Sequence, residues 1–357
     1  MKIAVDARPL SYPANGNGRY LHYMLKYIIP LRKNDSWHLF LNKPIHFEYK
    51  DLLELSVTVH YPPFNLPGLL WLNLIIPYQI KTYDLFWGTL AMLPLFYKLR
   101  NLPMAMVNFH DLNAFSAQET MAFFNRIQHR MFDRHTIRNA DSILCLSKTT
   151  GEDILKNFPE THPDKLSIIY PGFLSSKKVK KTKPHTSLQK GFYLCVGTIE
   201  PRKNQRLLVE AYQEALSKKA DLPPLVLVGR KGWGEDSFFE ELLKEKYKGI
   251  VYFHQAGEEH LQWCYASAGM FMLPSLHEGF GLPILEAMEH GLPCALSDIP
   301  VFREIAPDAS FARPDSKEDW VKIFLSRKKL ARSKLDRTFW SWEKRARVLS
   351  DVMDRFV

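Results

Sequence analysis

Cysteine is scarce and scattered. Cys145, Cys195, Cys264 and Cys294 are the four in 357 residues, with no Cys-x-x-Cys pair and no Cys/His zinc spacing. That pattern excludes a disulfide framework and a zinc ribbon, and it leaves reduced, buried thiols in a cytosolic protein as the expectation. Long apolar runs are missing too. The nearest approach, Leu66 to Ile80, is broken by Pro67, Asn73 and Pro77, so no transmembrane helix is expected. The opening Met1-Lys2-Ile3-Ala4-Val5-Asp6 reads as a strand and not as a signal peptide. No internal repeat or low-complexity tract is visible. Acidic charge is in deficit, with 38 Asp+Glu against 48 Lys+Arg and a formal net charge of +10. A charge of that sign points to anionic partners such as nucleotides or phospholipid headgroups. Nucleic acid is disfavoured, because no basic stripe with interleaved aromatics occurs.

What is present is ordinary globular chemistry in a chain long enough for two cores. The hydrophobic fraction is 46% and the charged fraction 24%. Short apolar runs, among them Ile3–Val5, Trp37–Leu41, Met104–Asn108, Ser142–Leu146, Phe192–Val196, Leu225–Val228 and Cys294–Leu296, alternate with helical stretches. Arg206–Leu216 is one such stretch, with Leu207, Leu208, Ala211, Ala215 and Leu216 on one face. Strands alternating with helices predict parallel sheets covered on both faces, an α/β architecture. Ser175 to Lys190 breaks the pattern with six lysines and Pro184, and reads as an exposed linker or a headgroup-binding patch. The expected division is therefore 1–174, a linker over 175–190, and a second α/β domain over 191–339. Up to residue 180 there are 21 basic and 14 acidic residues; beyond it, 27 and 24. The basic excess lies mostly in the first part.

Four constellations sit where such folds bind ligands. The first is Ser275-Leu276-His277-Glu278-Gly279-Phe280-Gly281-Leu282-Pro283-Ile284-Leu285-Glu286, a strand running through a Gly-rich turn into a helix. Pro283 suits the first helical turn and Gly291 the stop. A helix start presents N–H groups suited to phosphate, and the flanking Glu278 and Glu286 suit hydroxyl donors. That layout matches a nucleotide sugar; it also matches a plain loop-to-helix junction. The second is Gly197-Thr198-Ile199-Glu200-Pro201-Arg202-Lys203-Asn204, which puts a cation pair at a sheet's carboxyl edge with Asn204 as a helix cap. The pair could neutralise a diphosphate or could be a solvated turn. The third is Asp6-Ala7-Arg8 followed by Gly16-Asn17-Gly18-Arg19-Tyr20, a loop reaching toward phosphate or an ordinary strand-to-helix turn. It lacks the third glycine and the distal acid of a dinucleotide fingerprint. The fourth is His110-Asp111 at a strand end, a ligand contact or a structural pair.

Together these motifs resemble, over nearly the whole chain, the retaining glycosyltransferases of family 4, and within them the bacterial mannosyltransferases of surface-polysaccharide synthesis. Glu278 and Glu286 match the family's E-x7-E pair, with Gly279 to Pro283 as its usual filling. Glu200-Pro201-Arg202-Lys203-Asn204 and Val228-Gly229-Arg230-Lys231-Gly232-Trp233 are similar to the mannosyltransferase subgroup. Thr198 stands where many members have arginine, and Tyr170-Pro171-Gly172-Phe173 replaces a usual Asn-Gly-Val-Asp.

The resemblance implies a GT-B fold, two Rossmann-like domains with parallel sheets facing a central cleft and a C-terminal helix, about 340–357, crossing back to the first domain. It implies that Glu286 binds ribose hydroxyls, that Arg202 and Lys203 hold the diphosphate, and that the backbone N–H groups of Phe280, Gly281 and Leu282, with Gly16 opposite, cradle phosphate and sugar. Glu278 and His110 would face the transferred sugar as catalytic residues. No Asp-x-Asp occurs, so protein cations and no metal or other cofactor are expected at the diphosphate. The donor implied is a nucleotide sugar, a GDP-sugar such as GDP-mannose before a UDP-sugar. The acceptor implied is a saccharide or lipid-linked saccharide. The alternatives are a nucleotide-sugar epimerase on the same fold and an inactive nucleotide-sugar-binding protein. A cytoplasmic enzyme is expected, peripheral at an anionic membrane surface if the apolar stretches Leu66–Ile76 and Leu85–Tyr97, followed by Lys98 and Arg100, are interfacial and not core.

Overall fold

A computed structural model describes the chain apart from residues 14, 63–65, 113–122, 174–179, 185–186, 220, 255, 327–331 and 357, and apart from the side chains of 123–130. It contains two compact units: Met1–Gly172 with Arg337–Val357, and Phe173–Asp336. Residues 174–179 and 185–186 of the expected linker lie outside the described part. The rest of that segment belongs with the second unit. Thr182 donates to Glu259 through both its backbone N–H and its hydroxyl, the latter at 2.7 Å, and Leu188 is buried, while Lys180, Lys181, Lys183 and Lys190 are exposed.

The first unit is built on a seven-stranded sheet in the order β3-β2-β1-β4-β5-β6-β7, and every pairing is parallel. The strands are β1 (Lys2–Asp6), β2 (Ser36–Phe40), β3 (Val57–His60), β4 (Leu85–Gly88), β5 (Met104–Phe109), β6 (Ser142–Cys145) and β7 (Leu166–Ile168). β1 and β4 are adjacent at the sheet's centre, where the strand order reverses, and their residues are almost wholly buried, as the uninterrupted apolar runs require. Val57–His60 and Leu85–Gly88 were not singled out as strands in the sequence. The first is an edge strand of weak alternation. The second hid inside an aromatic stretch read as a candidate for the membrane surface.

Helix Gly16–Leu31 follows β1. Asn15 caps it, its side-chain oxygen accepting from the Gly18 N–H at 3.0 Å. The glycine motif expected as a loop is therefore the first turn of a helix. Gly18 is required by packing, because a Cβ there would lie 2.4 Å from the Tyr49 hydroxyl oxygen. At the end of β1, Asp6 and Arg8 form a buried bidentate pair (2.9 and 2.6 Å), and Arg8 also donates to the Gly68 carbonyl. The C-terminal helix Trp342–Met353 lies against helix Gly16–Leu31 in this same unit. Trp342 meets Tyr20 edge-on and stacks on Tyr23, and Arg32 donates to the Ser350 carbonyl. Gly172 closes the corner: a Cβ there would sit 2.6 Å from the indole of Trp342.

The two apolar stretches divide between core and surface. Trp71, Leu72, Ile76, Leu85, Phe86, Trp87, Leu93 and Tyr97 are buried, each large side chain contributing about 1.5–3 kcal/mol of burial. Leu70, Leu74, Tyr78, Leu95, Phe96 and Leu99 are exposed. The two exposed sets are tied together by Asn73, whose Oδ1 accepts from Leu95 N at 2.8 Å and whose carbonyl accepts from Arg100 at 3.0 Å. Pro77, with no N–H, cannot donate to that carbonyl in the helical i to i−4 pattern, and the guanidinium does so.

The second unit has a six-stranded parallel sheet in the order β10-β9-β8-β11-β12-β13: β8 (Tyr193–Val196), β9 (Leu225–Val228), β10 (Ile250–Phe253), β11 (Met270–Leu273), β12 (Cys294–Ser297) and β13 (Ser310–Ala312). Its reversal point lies between β8 and β11. Helix Gln205–Lys218 packs its apolar face on helix Lys317–Leu325, with Tyr212 and Phe324 edge-on. All four cysteines are buried and free of disulfides. Burial pushes Cys145 and Cys195 up to about 12, so they are inert thiols.

Candidate active site

The carboxyl ends of β8 and β11 carry the two loops that bear the main motifs. After β8 the chain passes Gly197 close against Gly229, where a Cβ would come within 1.9 Å of the Gly197 carbonyl oxygen. It then makes a single 3-10 turn, Pro201–Lys203, which Asn204 ends in left-handed conformation at φ 54°. Asn204 stands at the cap position of helix Gln205–Lys218, but its side chain does not cap; it donates to the Pro314 carbonyl at 2.8 Å. Gln205 instead turns back and donates to the Thr198 carbonyl at 2.8 Å. After β11 the Ser275–Gly281 loop leads into helix Leu282–Glu289. Gly281 at φ 109° makes the bend, Pro283 fills the first turn and Gly291 at φ 67° follows the end. The loops are joined by backbone, Leu276 N donating to Arg202 O at 2.8 Å.

Glu278 is the centre of this junction. Its Oε2 accepts from Arg202 Nη1 at 2.6 Å; its Oε1 accepts from Lys203 Nζ and from Ser275 Oγ at 2.8 Å. Arg202 donates further to Glu200 at 2.7 Å and to the His277 carbonyl at 3.1 Å. Glu278 is buried and the two cations nearly so. Burial alone would raise the Glu278 carboxyl. The charges of Arg202 and Lys203, with the hydrogen bonds from Lys203 and Ser275, outweigh it and hold the group at about 2. Two carboxylates and two cations make the cluster neutral overall, with the donors of Arg202 and Lys203 directed at the Glu278 and Glu200 carboxylates. At the start of helix Leu282–Glu289, Pro283 has no N–H and the Ile284 N–H donates to the Gly281 carbonyl at 2.9 Å, so the Leu282 N–H is the first donor at the positive end of the helix.

The sequence expected Arg202, Lys203, Glu278, Phe280, Gly281, Leu282 and Glu286 to act together. The structure puts all of them on two loops and one helix at the reversal point of one sheet. Glu286 sits one turn into the helix, its Oε2 accepting from Tyr265 at 2.7 Å. Gly16 and His110 belong to the first unit. His110 follows β5; its Nε2–H donates to the Thr89 carbonyl at 2.9 Å, and the edge of Tyr20 packs on it. Burial lowers its pKa, the Thr89 bond opposing this in part, so the ring is neutral near pH 7.

Sequence reasoning gave no role to Ser275, Glu200 or Tyr265. Ser275 had a local signal, a hydroxyl three residues before an acid in a turn. Tyr265 had none, since it meets Glu286 across 21 residues.

With this geometry in place, the comparisons define the class. Residues 176–329 match the family described as glycosyl transferases group 1. Over 351 residues the chain is 28% identical to O-antigen chain mannosyltransferase B of Escherichia coli, covering 91% of this chain and 90% of that one. It is 23% identical to O-antigen chain mannosyltransferase RfbU of Salmonella typhimurium, over 86% of each. The crystal structure of Anabaena Alr3699/HepE in complex with UDP and glucose superposes with a TM-score of 0.72 at 17% identity, covering 99% of this chain and 100% of that one. The fold is GT-B, and the chain carries a glycosyl transferases group 1 domain.

The ion cluster generates a stability prediction. Glu278→Ala leaves Arg202 and Lys203 without their shared counter-charge and should cost about 3–5 kcal/mol, read as a lowered melting temperature of the full chain. The folded carboxyl lies below its unfolded value near 4.3. Its contribution is therefore complete above that value and drains away as pH falls toward 2. A variant with unchanged stability at pH 7 would show that the cluster contributes nothing.

Proposed function

We propose that the protein is a retaining hexosyltransferase that moves mannose from GDP-mannose to a saccharide or lipid-linked saccharide in bacterial surface-polysaccharide synthesis. The observation that carries the reading is the Arg202–Lys203–Glu278 cluster at the reversal point of the second sheet, beside the start of helix Leu282–Glu289. Support for mannose is the likeness to the two O-antigen mannosyltransferases along most of the chain.

In this proposal Lys203 and Arg202 take the diphosphate, the N–H groups of Phe280, Gly281 and Leu282 complete its cradle, and Glu286 accepts from the ribose hydroxyls. Glu278 is assigned to the transferred sugar. The chemistry is positioning plus charge stabilisation. An acceptor hydroxyl attacks the anomeric carbon on the face from which the diphosphate leaves. The C–O bond to phosphate breaks, and the departing phosphate oxygen takes the hydroxyl proton. Glu278, ionised throughout, accepts from hydroxyls of the transferred sugar, while the two cations meet the charge growing on the leaving group. Protein cations do the work a metal does elsewhere, so no metal is assigned.

A membrane surface is part of the proposal. Leu70, Leu74 and Tyr78 recur every four residues along Gly68–Gln79, and Phe96 and Leu99 project beside them. Phe96 holds φ 60°, a conformation costing a side-chain-bearing residue about 1–2 kcal/mol. Strain spent to expose an aromatic ring is a mark of function. Lys81, Lys98 and Arg100 flank the patch, Lys98 paired with Asp141. Protruding apolar side chains among cations suit a fluid anionic surface, which demands no matching shape. Among the described residues no helix is long and apolar enough to cross a membrane.

Three measurements test the proposal. In a thermal-shift screen of GDP, UDP, ADP and their sugars, GDP and GDP-mannose should stabilise most, about 2.7 kcal/mol at 100 times Kd. Lys203→Ala should lose that shift, a penalty of about 2–5 kcal/mol in binding. A larger shift with UDP overturns the donor, and an unaltered shift in Lys203→Ala overturns the diphosphate site. Mannosyl transfer should survive EDTA; loss on chelation with recovery on adding manganese would require a metal. Flotation with vesicles containing anionic lipid should carry the protein upward at low salt, less so at high salt and less so with Phe96→Ser and Leu99→Ser together. No flotation at low salt would return the patch to an unassigned surface.

A further inference from the structure

The two glutamates of the motif are held in different ways. Glu278 is neutralised by two cations. Glu286 is gripped by a neutral donor, the Tyr265 hydroxyl, at 2.7 Å from Oε2. Tyr265 lies on helix Glu258–Ser267 and is completely buried. Its ring runs parallel to the imidazole of His290, centroids 5.8 Å apart and planes within 6°. His290 is fixed in turn. Its Nε2 stands 3.0 Å from Gln262 Oε1, and the Gln262 amide donates to Glu258 at 2.9 Å. Because Gln262 gives its N–H to Glu258, its oxygen faces His290, and the proton sits on Nε2. Burial pushes His290 down to about 4, so this ring is a neutral plate near pH 7.

We propose that Tyr265 is a positioning residue that aims the Glu286 carboxylate at the donor's ribose hydroxyls, with His290 fixing the plane of the tyrosine ring. The inference rests on the ribose role proposed above for Glu286. A glutamate side chain turns about three bonds, and freezing it when ligand arrives weakens binding. Anchoring Oε2 beforehand removes part of that cost. A phenol anchors without cancelling the charge. A guanidinium would also orient the carboxylate, but it would pair with it and weaken its charge-assisted hydrogen bonds to hydroxyls. The stacked His290 ring limits the swing of the phenol, and the Gln262–Glu258 link limits the swing of His290.

The test compares binding of GDP with that of 2′,3′-dideoxy-GDP, by calorimetry on the full chain. UDP and its dideoxy analogue are used if the screen above selects UDP. The wild-type protein should prefer the ribonucleotide, and Tyr265→Phe should cut that preference about three- to tenfold, the range expected for one hydrogen bond of ordinary strength. A general loosening of the fold would weaken both ligands alike and leave the ratio unmoved. His290→Ala should lower the ratio in the same direction by a smaller factor, and it carries the test if Tyr265→Phe does not fold. A folded Tyr265→Phe or His290→Ala protein with the full wild-type preference overturns the positioning role. Glu286→Gln separates the two levels. If Glu286→Gln keeps the preference, the ribose reading and this inference fall together. If it loses the preference while Tyr265→Phe keeps it, only the assignment of Tyr265 falls.

Discussion

One buried carboxylate holds the second unit's two functional loops together. Glu278 draws Arg202 and Lys203 from the loop after β8 and Ser275 from its own loop after β11. Without it, Lys203 and Arg202 would lose their shared counter-charge, Glu200 staying on Arg202, and the loops would lose their common centre. Much of the local geometry follows from this demand. The 3-10 turn Pro201–Lys203 points both cations the same way. Asn204 takes a left-handed conformation to end that turn at once. Gly197 and Gly229 allow the preceding backbones to touch. Desolvating charges is costly, and the cost is met only when every lone pair finds a donor. Glu278 comes close to that condition, with both oxygens engaged and the pKa driven to about 2.

The same arrangement explains why one motif contains two glutamates with different surroundings. They are eight residues apart, but Glu278 lies in the loop and Glu286 on the helix that the loop starts. The loop residue turns toward the cations of the neighbouring strand's loop. The helical residue turns toward the helix packed beside it, where Tyr265 and His290 stand. A carboxylate neutralised at close range and another held by a phenol have distinct capacities. The first sits within a balanced cluster of charge, and the second is oriented by the Tyr265 hydroxyl.

How far this was legible in the sequence depended on distance along the chain. Gly281, Pro283 and Gly291 each act within a turn of their own position, and the helix they bracket could be read from them. The cation pair could be placed at a sheet edge because the strand before it is short and apolar. Other features needed contacts no local pattern carries. Tyr265 finds Glu286 only after β11 and its loop have folded back. Leu85–Gly88 looked like part of an interfacial stretch because a fully buried parallel strand is apolar on both faces, and composition cannot separate it from a membrane-facing segment. Asn204 had the right residue type for a cap, but its side chain is used by the Pro314 carbonyl, a partner 110 residues away. The glycines at 16 and 18 suggested a loop. Asn15 caps a helix that begins at Gly16, four residues before Tyr20 opens the apolar periodicity, and a Cβ at Gly18 would crowd the Tyr49 hydroxyl and the Pro9 carbonyl.

The seam between Trp342 and the first unit bears on the order in which the molecule is completed as it is made. Residues 1–172 contain the whole first sheet, but Tyr20, Tyr23 and Gly172 keep an aromatic-lined hollow until Trp342 arrives. The second unit, residues 173–336, needs nothing later than itself to close its core. Helix Trp342–Met353 follows that unit in the chain, so the seam of the first unit closes only after the sequence of the second has been made.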